Sequence, residues 1–356
     1  MSSLQAIADG LQIDLRLLLG RNAGEEVGNG LLDRVSIDEA RGALTRWGPV
    51  QLARGQATPT LASLGKAVDH AWLAYQHARY ADLVRSLPRL VTDAQQVRTA
   101  NRCAAAADRL AEAYQVTSAV MRKVGAADLA WLAADRAMAA SQDADDQILT
   151  AMCAVQLGYA LLGQGQSRHA MEVSIALAHQ IALPRPLDAP AAHLSIYGTL
   201  LIVAARGAAA LGYAGCVAEL IDQADEAAAV VGDGHDHYWT SFGPTAVQLA
   251  RVATTVDLGE GAALDPAAHQ RLVEGTAFRR LPPERRAAYL LDAANGFMQA
   301  GDVATAGQAV VSADRVAPAE VRHRPLGHEL LATLLRRAPT MSLDLQRLAD
   351  EMGVGV

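Results

Sequence analysis

The chain has 356 residues and 37.4 kDa, enough for two ordinary domains or one elongated repeat array. Hydrophobic residues make up 51% but aromatics only 4%, because alanine and leucine dominate, and this disfavours a β-sandwich or barrel and suits helices. Lys+Arg 31 against Asp+Glu 38 leaves a net charge of −7, so the chain as a whole is no polyanion-binding surface and a nucleic-acid role needs a separate basic module.

Residues 3–20 carry two short helix signals. Leu4, Ile7, Ala8 and Leu11 fall on one helical face, and Asp14 can cap a second segment with Leu15, Leu18 and Leu19 that Gly20 stops. A polar, glycine-rich linker follows from Arg21 to Gly30. Ser36-Ile37-Asp38-Glu39 reads as a capping box that opens a helix ending at Gly48-Pro49. From about residue 60 the pattern is helix after helix, broken at Gly or Pro, and Tyr75 to Tyr80 marks an inter-helix turn.

A repeat test on this region gives a degenerate tetratricopeptide spacing. Leu290-x2-Ala293-Ala294-x2-Phe297, Ala306-x3-Val310 and Pro318 meet it, with Gly301 at the turn. Tyr114-x2-Thr117-Ser118-x2-Met121 with Gly125 and Ala130 repeats it, as does Ala154-x2-Leu157-Gly158-x2-Leu161 with Gly165 and Ala170. Leu201-x2-Ala204-Ala205-x2-Ala208 with Gly212 is a weaker copy. Turn glycines are thus expected at 125, 165, 212, 259 and 301, in steps of 40 to 47 that exceed a strict 34-residue unit and require longer helices or loops. The expected fold is an all-α, tetratricopeptide-like helical-hairpin superhelix (an α-solenoid) of five or six helix pairs, with an irregular helical bundle as the alternative.

The residues quoted resemble actinobacterial XRE-type (phage-repressor-type) helix-turn-helix regulators with a C-terminal tetratricopeptide-like region. Trp239-Thr240-Ser241-Phe242-Gly243-Pro244-Thr245 is similar to a segment recurring in that family, although Ala246 stands where Asn is expected. Leu281-Pro282-Pro283-Glu284-Arg285-Arg286 with Tyr289 to Asp292 looks like its penultimate repeat. Ala317 to Arg322 with Arg324-Pro325 looks like its closing repeat, and Leu345-x2-Leu348-Ala349-x3-Gly353-Val354 like its terminal helix. At the N-terminus, Ser3 to Leu11 and Ile13 to Gly20 resemble the last two helices of the XRE domain, so the chain starts after the groove-reading helix. Charge agrees: residues 1–50 hold five Arg against seven acids. Either the native gene product is longer or this is a naturally shortened paralogue. The expected organisation is a helix-turn-helix remnant over 1–21, a linker with one helix over 22–59, and a helical-repeat domain over 60–356.

Catalytic motifs are missing: no GxxxxGK[ST], HExxH or GxSxG, and no GxGxxG after a strand pattern. The chain is therefore not expected to be an enzyme, and no cofactor is implied. His235-Asp236-His237 is the one dense ligand cluster, but the adjoining Gly232-Asp233-Gly234 favours a hydrated loop over a metal site. Cys103, Cys153 and Cys216 lie too far apart for a zinc motif or a disulfide framework; they read as small buried hydrophobes in a reducing, cytoplasmic setting. No apolar run is expected to reach the ~18 residues of a membrane span, and no basic leader is present.

In a tetratricopeptide-like superhelix the first helix of each pair lines the concave face. Positions flanking the packing residues place Glu112, Gln115 and Arg122 there from one pair, Tyr159 from the next, Thr199 and Arg206 from a third, and Asn295 from the last. Arg206, among apolar neighbours, is the sharpest of these, since a guanidinium can fork to a peptide carboxylate or carbonyl. The resemblance implies transcriptional control, with this chain as the module that binds a peptide, small molecule or protein partner. DNA would be engaged only through a complete helix-turn-helix domain upstream, and a homodimer is left open. The competing reading is a DNA-independent scaffold or oligomerisation protein using the same face. A metal-dependent enzyme is the third, resting on the His235 loop.

Overall fold

In a computed structural model the protein is described over residues 34–46, 59–144, 146–182, 189–337 and 342–355. The two short helices expected within 3–20 lie outside these residues, as do the proposed helix-turn-helix remnant and most of the linker. Within the described residues the fold is an all-α helical-repeat superhelix, with no strand. In chain order the helices are α1 (Arg34–Thr45), α2 (Leu61–Gln76), α3 (Tyr80–Ala100), α4 (Ala104–Lys123), α5 (Ala127–Gln142) and α6 (Gln147–Gly163). Then come α7 (Ser167–Ile181), α8 (Ala191–Ala210), α9 (Ala214–Val231), α10 (Pro244–Asp257), α11 (Pro266–Glu274) and α12 (Thr276–Arg280). The chain closes with α13 (Pro283–Gln299), α14 (Val303–Val316), α15 (Pro318–Arg322), α16 (Pro325–Arg337) and α17 (Leu343–Met352).

All five expected turn glycines adopt the left-handed conformation, with φ between 72° and 80°. Each turn is one device. The residue after the glycine donates its N–H to the carbonyl five residues back (Ala126 to Met121, Gln166 to Leu161, Tyr213 to Ala208, Glu260 to Thr255, Asp302 to Phe297) at 2.9–3.0 Å. That bond satisfies a helix-end carbonyl and turns the chain sharply enough for the next helix to run back. The Tyr75–Tyr80 turn has the same bond, Arg79 to Ala74 at 2.9 Å, with Ala78 at φ 54° where the others have glycine.

The repeat register explains the packing. A Cβ on Gly158 would stand 2.6 Å from Val203 Cγ1, and Ser118 is buried and donates to the Ala130 carbonyl at 2.8 Å. Small residues at these positions let helices close on each other, between pairs at Gly158 and within a pair at Ser118. Inner helices α2, α4, α6, α8, α10 and α13 alternate with outer helices α3, α5, α7, α9 and α14. The fifth outer position departs from the pattern: after Gly259 come a short 3-10 turn and the brief α11 and α12 instead of one long helix. A second departure is Pro88, which lies inside α3 rather than ending it.

Helix α1 is present from Arg34, so Ser36 lies inside it, buried, and not at its cap. Ala40, Ala43 and Leu44 join the core, and Gln95 of α3 donates to the Ala43 carbonyl. Helix α17 buries Leu345, Leu348 and Ala349 and stops at Gly353, φ 64°. Among the described residues one helix, α8, is long and apolar enough to cross a membrane by length and composition, against the expectation of none. Its side chains are mostly buried against α6, α7, α9 and α10, as suits the most enclosed inner helix of the array. Of the cysteines only Cys153 is buried, where burial pushes its thiol up to about 12; Cys216 is half-buried and Cys103 exposed, so neither fits the expected core role.

Stacking does not leave an open trough. A single apolar core cluster runs from α1–α6 into α13–α17, so the first and last repeats share buried surface. Helix α2 meets α13, Tyr75 donates to Glu284 at 3.3 Å, and Tyr80 donates to Glu320. The superhelix closes on itself around a hollow.

Candidate functional site

Every inner helix contributes one stripe to that hollow: Trp72, Tyr75 and Gln76 from α2, Gln115 and Arg122 from α4, and Met152, Val155, Gln156 and Tyr159 from α6. Ile196, Thr199, Ile202 and Arg206 come from α8, Ala246, Leu249, Ala250 and Ala253 from α10, and Arg285, Ala288, Tyr289 and Asp292 from α13. The spacings of three, four and seven are those of one helical face. The cavity measures about 140 Å³. Beside it, toward the turn glycines, lies a second recess of about 400 Å³, and Arg122, Tyr159, Arg206 and Arg324 line both.

Tyr238 to Ser241 form a strap across one side of the first cavity. Tyr238, Trp239 and Ser241 all have positive φ without being glycine, a strained run that its contacts hold in place. Asp236 accepts from the Ser241 amide and hydroxyl and from Gln76 Nε2, and Asp233 accepts from the Thr245 amide and hydroxyl. Trp239 stacks on Trp72, with centroids 6.3 Å apart, and Phe242 occupies the space a Cβ on Gly198 would need. Residues 238–245 thus form an anchored wall of the hollow. The rings of His235 and His237 stack on each other at 5.5 Å, Asp236 is spent on the strap, and no group of metal-ligating side chains forms among the described residues.

Charge is the feature that the sequence hid. Seven ionic groups from five segments form one alternating chain: Glu284, Lys123, Glu320, Arg324, Asp292, Arg206 and Asp257. Lys123 is buried, 2.5 Å from Glu284 and 2.7 Å from Glu320. Burial works against the Glu284 anion, but Lys123, Arg285 and Arg122 outweigh it and pull the carboxyl down to about 2. Burial, then Glu284, raises the Tyr75 phenol; burial, then Glu320, raises that of Tyr80; both stay protonated donors.

Of the seven expected site residues, five line the cavity: Gln115, Arg122, Tyr159, Thr199 and Arg206. Two do not. Glu112 lies one turn too early on α4 and pairs with Arg109 at 2.6 Å; Asn295 lies one turn too late on α13, where Asp292 takes the lining position. Arg206 is not the open fork expected of it: it grips Asp257 at 2.8 and 3.2 Å and reaches Asp292 at 3.3 Å. Burial opposes its charge, but Asp292 and Asp257 raise its pKa further and hold it protonated. Thr199 spends its hydroxyl on the Ser195 carbonyl, and Gln115 donates to Cys153 Sγ at 3.1 Å.

Arg122 is different. It has no carboxylate within ion-pair reach among the described residues; Nη2 donates to the Tyr75 hydroxyl at 3.2 Å, the guanidinium lies 5.0 Å over the Tyr159 ring, and its shielded Nε has no acceptor. Stepping back along the same register would have found Gln156 from Tyr159, and Arg285 from Asp292. The pairing of Lys123 with Glu284 and Glu320 joins residues some 160 to 200 positions apart, and no periodicity encodes it. No protein-family model, curated protein or solved structure matches the chain, so its site is read from its own geometry.

Proposed function

We propose that this chain is the ligand-binding helical-repeat module of a transcriptional regulator, taking a small molecule or short peptide in its central hollow and not gripping DNA by itself. The carrying observation is a cavity faced by all six inner helices, with Arg122, a cation that has no carboxylate within ion-pair reach among the described residues, at its boundary with the second recess. A hollow of about 140 Å³ with an adjoining recess of about 400 Å³ favours a small molecule or short peptide over a folded protein partner. The regulatory role rests on the family resemblance of the strap and the closing repeats. The net charge of −7 supports the lack of intrinsic DNA affinity. A ligand bridging helices from several pairs would act by favouring one closure of the ring over another.

The test is thermal unfolding with a panel of small acids, neutral amides, amines and short peptides. A true ligand at 100 times its Kd stabilises by about 2.7 kcal/mol, and Ala288→Leu, which adds bulk to the cavity wall, abolishes that gain. If no compound separates the wild type from Ala288→Leu, the module reading fails. Duplex DNA at physiological salt is expected not to bind; tight binding would overturn the DNA-independent part. Stable capture of a defined protein partner, unaffected by Ala288→Leu, would favour the scaffold reading instead.

A further inference from the structure

The alternating chain of seven charges carries three cations against four carboxylates, one negative charge in excess. Arg122 and Arg285 adjoin it, both near Tyr75 and Glu284, and neither has a carboxylate within ion-pair reach among the described residues. Their addition leaves the assembly one positive charge in excess. A monoanion brings it to neutrality, whereas a dianion such as phosphate overshoots.

Three cavity-lining residues carry an orphaned buried atom; Arg324 Nη1 faces Glu320 at 3.6 Å, and the other two mark where such a ligand would bond. Arg122 Nε is a shielded donor without an acceptor, and Gln156 Oε1 is a shielded acceptor without a donor. Buried polar atoms without partners are costly and uncommon, and in a cavity wall they mark a place for a ligand or water. Both residues line the cavity: Arg122 lies over the Tyr159 ring, and Gln156 sits three residues before Tyr159 on the same face of α6. Around them Met152, Val155, Ile196 and Leu249 offer apolar wall.

We propose that the hollow is a receptor site for a monoanionic carboxylate with an adjacent N–H and an apolar side group, the chemistry of an N-acyl amino acid and of a peptide C-terminus. Arg122 holds the carboxylate, its Nε and an Nη forming the two-pronged fork that guanidinium offers to carboxylates. Arg285 adds the second positive charge, Gln156 Oε1 accepts from the N–H, and the side group lies against the aliphatic wall. Arg206, saturated by Asp257 and Asp292, holds the ring together. This assignment deepens the ligand-binding reading and rests on it.

Calorimetric titration of the full chain with N-acetyl-L-leucine and with its neutral amide, N-acetyl-L-leucinamide, tests it. The acid is expected to bind at least tenfold more tightly than the amide. Arg122→Gln is expected to cost the acid at least tenfold and to abolish the preference, and Arg285→Gln to weaken the acid less while leaving some preference. A far-UV circular dichroism spectrum shows whether each variant is folded; should Arg122→Gln unfold, Arg285→Gln carries the test. An acetylated tripeptide ending in leucine separates the sources: tighter binding than N-acetyl-leucine assigns the site to a peptide C-terminus, weaker binding to a free acid. Equal affinity for acid and amide, no binding of any of the acids, or an unchanged acid preference in the folded variants overturns the assignment. Neutral or cationic compounds that bind the wild type but not Ala288→Leu would then leave the broader ligand-binding reading standing.

Discussion

Among single residues, Glu284 has the clearest energetic signature. Its carboxyl lies at about 2 in the folded protein against an ordinary 4.5, so the unfolded chain takes up the proton first as pH falls. The stability it contributes is complete above about pH 4.5 and is lost progressively as pH drops toward 2. Glu284→Gln should therefore be less stable than wild type at pH 7 by about 1–3 kcal/mol, and the difference should shrink steadily below pH 4.5. Urea midpoints of both proteins from pH 7 to pH 3 check this; a pH-independent difference would show that Lys123 does not hold the anion. The same scale separates Arg122 from Arg206. Both are arginines on inner faces, one turn apart in the repeat register, yet Arg206 has Asp257 and Asp292 within reach, while Arg122 has a phenol and an aromatic face. Sequence spacing places a side chain on a face; which carboxylates arrive opposite depends on other helices.

Within elements, the turns carry the repeat. Five of six use glycine, and the sixth uses Ala78 in a conformation that costs an L-residue roughly 1–2 kcal/mol. Ala78→Gly relieves that strain at the cost of added freedom in the unfolded chain, with an expected net stabilisation of about 0.5–1 kcal/mol. Chemical denaturation of the variant measures it, and a destabilised variant would mean that the buried Ala78 methyl contributes more through packing than its backbone loses. The strap has no such local logic. Its left-handed Tyr238, Trp239 and Ser241 are held by Asp236, by the Trp72 ring and by Phe242 seated on Gly198, contacts that come from distant segments.

On the scale of the whole molecule, closure is the decisive feature. Solenoid repeats ordinarily touch only their neighbours, but here Lys123 of α4 ties Glu284 of α13 to Glu320 of α15, while Tyr75 and Tyr80 bond the same carboxylates. Removing the cation strands two buried carboxylates. Lys123→Met should cost about 3–5 kcal/mol, and Lys123→Met/Glu284→Gln/Glu320→Gln should recover part of it, because replacing a whole buried ionic cluster costs less than breaking it. Small-angle scattering should show Lys123→Met more extended than wild type. An unchanged radius and stability would mean that the apolar core shared by the two ends closes the ring unaided.

The amino-acid sequence determined the helical class, the register of the repeats and the five glycine turns at 125, 165, 212, 259 and 301, because these follow from local periodicity and from the one residue type that readily adopts positive φ. By the same arithmetic Gln115, Arg122, Tyr159, Thr199 and Arg206 fall on the cavity wall, while Glu112 and Asn295 fall one turn from it, because periodicity fixes a face and not the height of a cavity along it. Only the tertiary structure decided that the two ends meet, which arginine is saturated and which is left unpaired. Those outcomes depend on charges far apart in the chain meeting where water is scarce, and their pairing energies have no trace in any local pattern.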